Sequence, residues 1–170
     1  MRLIMLTGAS GSGKTAIARA FQSRYADRAA VLFFDSIGVP SPERMIAEFG
    51  SGQAWQRAMT IRWMAKIAAS AHLHRCVLLE GQVRPVFLAE AVAAAGLNDH
   101  RIVLADCDDA TRTRRLVIDR AQPDLANPDM PNWARFLRIE AERAGCEILD
   151  TSSATIGACV EQIAKHLPAA

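Results

Sequence analysis

The run Leu3-Ile4-Met5-Leu6-Thr7-Gly8-Ala9-Ser10-Gly11-Ser12-Gly13-Lys14-Thr15 decides the fold. Its first five residues read as a short strand buried on both faces. Gly8–Thr15 then satisfies G-x-x-x-x-G-K-[ST] in full, and an amphipathic helix is predicted from Lys14 onward. Glycines let the backbone curl until successive N–H groups converge on phosphate oxygens, and the helix N-terminus adds its partial positive charge. Gly8, Ala9, Ser10, Gly11, Ser12, Gly13, Lys14 and Thr15 are thus candidate nucleotide-binding residues. In such a loop Lys14 neutralises the β- and γ-phosphates and the Thr15 hydroxyl ligates Mg²⁺. A chance glycine-rich turn is the alternative; a full match in strand–loop–helix context argues against it.

Downstream, strand-like and helix-like runs alternate. Further strands are predicted at Ala30–Asp35, Cys76–Glu80, Arg101–Ala105 and Cys146–Leu149. Amphipathic segments fall at Thr15–Tyr25, Gly52–His72, Val86–Ala95, Asp109–Arg120, Asn132–Ala144 and Ile156–His166. The alternation predicts an α/β fold, a three-layer sandwich around a five-stranded parallel sheet with right-handed crossovers. The 170 residues suit a single domain, 1–170. Ligands of such sheets bind beyond the carboxyl ends of the strands. The positions there are Gly8–Thr15, Asp35, Glu80-Gly81, Asp106 and Asp150-Thr151, so four of five ends carry a carboxylate.

The composition restricts the function classes. Just over half of the residues are apolar (51%) and 22% are charged, and the formal charge of +2 is too near balance for nucleic acid or an anionic membrane to be the main partner. Cys76, Cys107, Cys146 and Cys159 are scattered without a C-x-x-C pair, which excludes a zinc pattern and reads as reduced core thiols. His72, His74, His100 and His166 show no ligand spacing. No cleavable leader and no membrane-length apolar run is read, so a cytoplasmic location is expected.

Several stretches resemble known P-loop kinases. Val77-Leu78-Leu79-Glu80-Gly81-Gln82-Val83-Arg84 is similar to the apolar strand, Asp, Gly, Phe, Pro, Arg stretch of adenylate kinases and related nucleoside monophosphate kinases. Glu80 stands for the aspartate, and Gln82-Val83 replaces Phe-Pro. The resemblance implies that Arg84 grips an acceptor phosphate and that Glu80, on the substrate side, anchors Mg²⁺ and water from the outer shell; a helix-capping carboxylate is the alternative for Glu80. Asp35 stands where small-molecule kinases such as shikimate kinase, gluconate kinase and chloramphenicol phosphotransferase carry an aspartate facing the acceptor hydroxyl. That implies a catalytic and substrate-binding role, proton uptake or orientation, against the plainer role of capping the segment that begins at Ser36.

Asp109–Arg120 supplies four arginines in nine positions and resembles the helix leading into the lid of the same kinases. By that comparison Arg115 sits near the adenine or the phosphates, and Arg120 reaches the transferring group, where cations are needed as charge shifts to the leaving oxygen. Arg112 shares a helical face with Arg115 by spacing, yet Arg112 and Arg114 are read as a solvated basic face paired with Asp108, Asp109 and Asp119. Three prolines in nine residues make 120–131 a loop, where a short lid belongs. The loop at Asp150-Thr151-Ser152 is, by resemblance, the adenine-recognising one.

Residues 37–72 are expected to form the acceptor-binding helices. Trp55, Met59 and Trp63 make one stripe there, more often core than binding wall, although Trp55, Gln56 or Arg62 could reach an acceptor.

The resemblance implies an ATP- and Mg²⁺-dependent phosphotransferase that acts on a hydroxyl of a small molecule, as a monomer or homodimer. Two alternatives stay open: transfer to a nucleoside monophosphate or other phosphate ester, which Arg84 favours and Asp35 does not, and a nucleotide-binding switch with slow hydrolysis. A polynucleotide 5′-hydroxyl kinase ranks below them, because Gly38 stands where such enzymes carry an arginine.

Overall fold

The computed structural model describes residues 1–169. Five strands, β1 (Arg2–Thr7), β2 (Ala30–Phe33), β3 (Cys76–Glu80), β4 (His100–Asp106) and β5 (Glu147–Asp150), form one parallel sheet in the order β2-β3-β1-β4-β5. The strand carrying the glycine-rich loop is therefore central, with Leu6 in register with Glu80 and Val103.

Helices α1 (Lys14–Arg24), α2 (Pro42–Phe49), α3 (Gly52–Ala69), α4 (Pro85–Ala94), α5 (Asp109–Arg114), α6 (Asp129–Arg143) and α7 (Ile156–Ala164) cover both faces. The period-two geometry of a strand divides its side chains between two cores. Leu3 and Met5 of β1 and Val77 and Leu79 of β3 pack with Trp63, Met64 and Ile67 of α3 and Leu88 and Val92 of α4. Ile4, Leu6, Cys76 and Leu78 face the other way, onto Ile17 and Phe21 of α1 and Val160 and Ile163 of α7. A third cluster seats Leu137 and Ala141 of α6 on Leu104. This is the three-layer α/β arrangement that the alternation predicts.

Four local differences have physical causes. The second strand ends at Phe33 rather than Asp35, because Phe34–Ile37 turns into a 3-10 helix. An additional helix, α2, precedes the long one: Ser41 Oγ accepts the Arg44 N–H, Pro42 opens the first turn, and Gly50 closes the helix in a left-handed conformation. The arginine helix stops being regular at Arg114 and widens into a π turn over Arg115–Asp119, with the Arg120 N–H bonded to the Arg115 carbonyl at 3.0 Å. The loop at 120–131 is shorter than expected, since α6 starts at Asp129 and Pro131 fits in its first turn, where no amide donor is needed.

Cys76, Cys107 and Cys159 are buried and Cys146 is half-buried; all four are free. Burial pushes the Cys76 thiol up to about 11. Among the described residues, no helix is long and apolar enough to cross a membrane.

Candidate phosphate-binding site

The site is assembled at the carboxyl edge of the sheet. Gly8 ends β1 so close to its neighbour that a Cβ there would lie 2.3 Å from the Ala105 carbonyl oxygen, and its φ of +154° is open chiefly to glycine. Only hydrogen can occupy that position. The loop then passes into α1 through Gly13 in the left-handed conformation, and the first amides of α1 lack partners within the helix.

Lys14 is buried at 8% exposure, its Nζ 3.4 Å from the Ala9 carbonyl. Burial holds the ammonium below the usual lysine range. Glu80 opposes this, Arg120 adds to it, and Asp35 and Arg112 follow with raising and lowering effects. Two carboxylates and two guanidiniums from the end of β3 and the segments after β2 and β4 thus act on one ammonium.

Thr15 Oγ1 donates to Glu80 Oε1 at 2.9 Å. Burial pushes the Glu80 carboxyl above the usual carboxylate range; the Lys14 charge and the Thr15 hydrogen bond pull it back, and Asp35 adds a further upward push. Gly81 follows, and a Cβ there would lie 2.4 Å from Phe34 Cβ, so the glycine lets the Phe34–Asp35 turn close over the end of β3. That turn is held by Trp63 Nε1, which donates to the Phe34 carbonyl at 3.0 Å, and it leaves Asp35 exposed.

A cavity of about 520 Å³ opens beside the loop, lined by Gly11, Gly13, Lys14, Thr15, Arg115, Arg120, Thr151, Ala154 and Ile156. Arg115 donates to the Gly11 carbonyl at 3.3 Å, to Thr151 Oγ1 at 3.0 Å and to the Thr151 carbonyl at 2.6 Å. Arg120 is exposed on the cavity rim at the end of the π turn.

Three sequence expectations meet different surroundings. Trp55 is 7% exposed and stands edge-on to Phe34, with ring centroids 6.1 Å apart; its place is underneath the Asp35 turn, in the core. Arg84 is committed elsewhere. Its guanidinium donates to Glu140 Oε1 at 2.6 and 3.1 Å and lies over the rings of Phe87 and Phe136. Arg112, read as part of a solvated face, is instead 2% exposed and paired with Asp106 at 2.6 Å, because the helix leans that face onto the loop. Arg114 is exposed and paired with Asp119 as expected.

Sequence reasoning named Gln56 only as a residue that could reach an acceptor and gave Gln82 no role of its own. Gln82 Oε1 accepts from Ser10 Oγ at 3.1 Å, and Gln56 bonds the Gln82 carbonyl and the Arg84 amide, tying the glycine-rich loop to the segment after β3. Neither has a local signature; their partners are 72 and 26 residues away for Gln82, and 28 away for the second bond of Gln56.

The donor set fits Mg²⁺. Among the described residues no group of three or more His, Cys, Asp or Glu could cage a metal, whereas a lone hydroxyl beside a carboxylate suits a hard cation that keeps water and phosphate as its other ligands. The Ser12 hydroxyl is fully buried without a hydrogen-bond partner, beside Gly8, where a Cβ would lie 2.7 Å from it.

No protein-family profile and no curated protein sequence matches this chain. Solved structures match it over nearly its whole length. A tunicamycin resistance protein from Deinococcus radiodurans is 17% identical with a TM-score of 0.66, covering 96% of this chain and 94% of its own. An APS kinase from Mycobacterium tuberculosis, in complex with AMPPNP and APS, is 17% identical with a TM-score of 0.62, covering 97% and 96%. A shikimate kinase from Acinetobacter baumannii, in complex with shikimate, is 16% identical with a TM-score of 0.60, covering 97% and 90%. At these identities the likeness is one of fold.

Proposed function

The chain has the fold of the P-loop kinases, and we propose that it transfers the γ-phosphoryl group of Mg·ATP to a hydroxyl of a small-molecule acceptor. The observation that carries this reading is the placement of Thr15, bonded to Glu80 at 2.9 Å, in a loop whose Lys14 shares one cavity with Arg115 and Arg120. A loop that only stored a nucleotide would have no use for a carboxylate on the acceptor side.

The loop amides and Lys14 hold the β- and γ-phosphates. The cavity between Arg115, Thr151 and Ile156 takes the nucleoside. Thr15 Oγ1 would ligate Mg²⁺ directly, and Glu80 would hold it directly or through water. When bound, the ion neutralises charge on the β- and γ-oxygens. Asp35 aligns the acceptor hydroxyl and receives its proton as the hydroxyl oxygen bonds the γ-phosphorus. The bond from that phosphorus to the bridging oxygen breaks, ADP leaves, and Arg120 stabilises the charge passing through the transferring group.

The commitment of Arg84 to Glu140 favours a hydroxyl acceptor over a phosphate ester, since the guanidinium that would grip a second phosphate already has a counter-ion. Four free and mostly buried thiols fit a reducing, cytoplasmic setting.

The test is a thermal-shift screen of hydroxylated metabolites with a non-hydrolysable ATP analogue, followed by ADP-release assays on the hits. A ligand that binds only the folded state raises stability by mass action. The expected result is a compound that shifts the melt only with the analogue present and whose phosphorylation releases ADP. ATP hydrolysis at one rate regardless of any acceptor would instead favour a nucleotide switch.

A further inference from the structure

The carbonyls of the phosphate loop carry a second set of contacts. Arg112 Nη1 donates to the Ser10 carbonyl at 3.1 Å, and Thr151 Oγ1 donates to the Ser12 carbonyl at 2.8 Å. Arg115 takes the carbonyl between them, that of Gly11. Three successive loop carbonyls are thus held by side chains from the segments after β4 and β5.

In a trans peptide the C=O and the following N–H point in opposite directions across one rigid plane. Fixing the Ser10 carbonyl on Arg112 and the Ser12 carbonyl on Thr151 therefore turns the Gly11 and Gly13 amides the opposite way. A loop without these bonds would have to order its own amides when an anion arrived, and that ordering would weaken binding.

Arg112 is the least expected member of the set. Its guanidinium is buried, and its charge is balanced by Asp106 Oδ1 at 2.6 Å, with a further bond to the Cys107 carbonyl at 3.0 Å. Asp106 is fixed in turn: its other oxygen accepts from Arg138 of α6 at 3.0 Å, and its carbonyl accepts the Thr151 amide at 2.8 Å. The stem of Arg112 also abuts the loop, since a Cβ on Gly11 would lie 2.9 Å from Arg112 Cγ. A buried ion pair contributes little net stability compared with apolar side chains of the same volume, so stability alone does not account for a charge at this position.

We propose that Arg112, oriented by Asp106, is a positioning residue that presets the amides of the phosphate loop for a triphosphate. The inference rests on the reading of Gly8–Thr15 as a phosphate loop. It goes beyond that reading by naming the group that holds the loop in its binding conformation without touching the nucleotide.

The test compares the affinities of the intact chain and its variants for a Mg-bound non-hydrolysable ATP analogue and for AMP, by calorimetry. Arg112→Met is expected to weaken the analogue about 100-fold, as a displaced binding element does, and to leave AMP affinity unchanged. Arg112→Lys keeps a cation opposite Asp106 and secures folding; it is expected to show the same selective loss, smaller in size. Arg138→Met frees one oxygen of Asp106 and is expected to give the same selective loss in weaker form. Folded Arg112 variants that bind the analogue as tightly as the wild type overturn the proposal. So does an equal loss for both nucleotides, the mark of general structural damage. A wild-type chain that binds no triphosphate overturns the phosphate-loop reading itself, and this inference with it.

Discussion

The Thr15 hydroxyl donates to Glu80 Oε1 at 2.9 Å, joining the first turn of α1 to the end of β3 across 65 residues of sequence. The bond brings the hydroxyl proposed to ligate Mg²⁺ and a buried carboxylate into one geometry before any ion arrives. Glu80→Gln keeps the shape and removes the charge. We expect a loss of about 10–100-fold in Mg²⁺-dependent activity, the size seen when outer-shell metal partners are changed, measured as kcat/KM across a magnesium titration.

The same residue sets a pH dependence. Burial raises the folded-state pKa of Glu80, so between its unfolded and folded values the native state binds more protons than the unfolded one. Stability without nucleotide must therefore fall as pH rises through that window. Glu80→Gln should melt higher than the wild type at neutral pH, with the difference closing as pH falls toward the ordinary carboxylate range. Thermal melts across pH without nucleotide check this; a variant that melts lower at neutral pH contradicts it.

Lys14 carries the opposite dependence. Its pKa is lowered by burial, so the unfolded state binds more protons between the lowered value and the ordinary lysine value. Stability contributed by this group rises with pH across that interval. Lys14→Met should abolish detectable ATP binding and raise the melting temperature of the nucleotide-free chain, the trade-off expected of a functional group that burial destabilises.

Asp35→Asn separates binding from chemistry. The exposed carboxylate leaves the 3-10 turn without disturbing the Trp63 bond that shapes it. We expect kcat toward the hydroxyl acceptor to fall about 10²–10⁴-fold, the usual contribution of a positioned acid or base, with ATP-analogue affinity unchanged in calorimetry.

Arg84 joins α4 to α6 through Glu140, with both side chains less than one-fifth exposed. Arg84→Ala should cost about 2 kcal/mol, below the range for a fully buried pair, and lower the melting temperature by about 4–8 °C for a chain of this size. Nucleotide affinity should stay as it was. A loss of acceptor affinity at unchanged stability would instead restore Arg84 as the acceptor's grip.

The glycine-rich loop was legible because its chemistry is local: it needs only backbone amides, glycines at fixed offsets and a helix start. Glu80 and Asp35 could be located from strand ends, although Asp35 proved to sit two residues past its strand, in the 3-10 turn where Phe34 folds against Gly81. Arg112 was misread. Helical spacing put it beside Arg115, but nothing near it in sequence shows that the helix face rests on the loop and not in water. Arg84 was likewise placed by the Glu-Gly-Gln-Val-Arg run, while its true counter-ion lies 56 residues away.

What the sequence by itself determined was the class of fold and the place of a candidate phosphate loop, since both follow from short-range patterns: apolar runs of strand length, helical periodicity, and glycines before a lysine. Only the tertiary structure decided which arginines are free and which are spent on ion pairs. Charge pairing depends on distances between crossovers, and the packing of α5 and α6 on the sheet sets those distances without leaving a periodic trace in the chain.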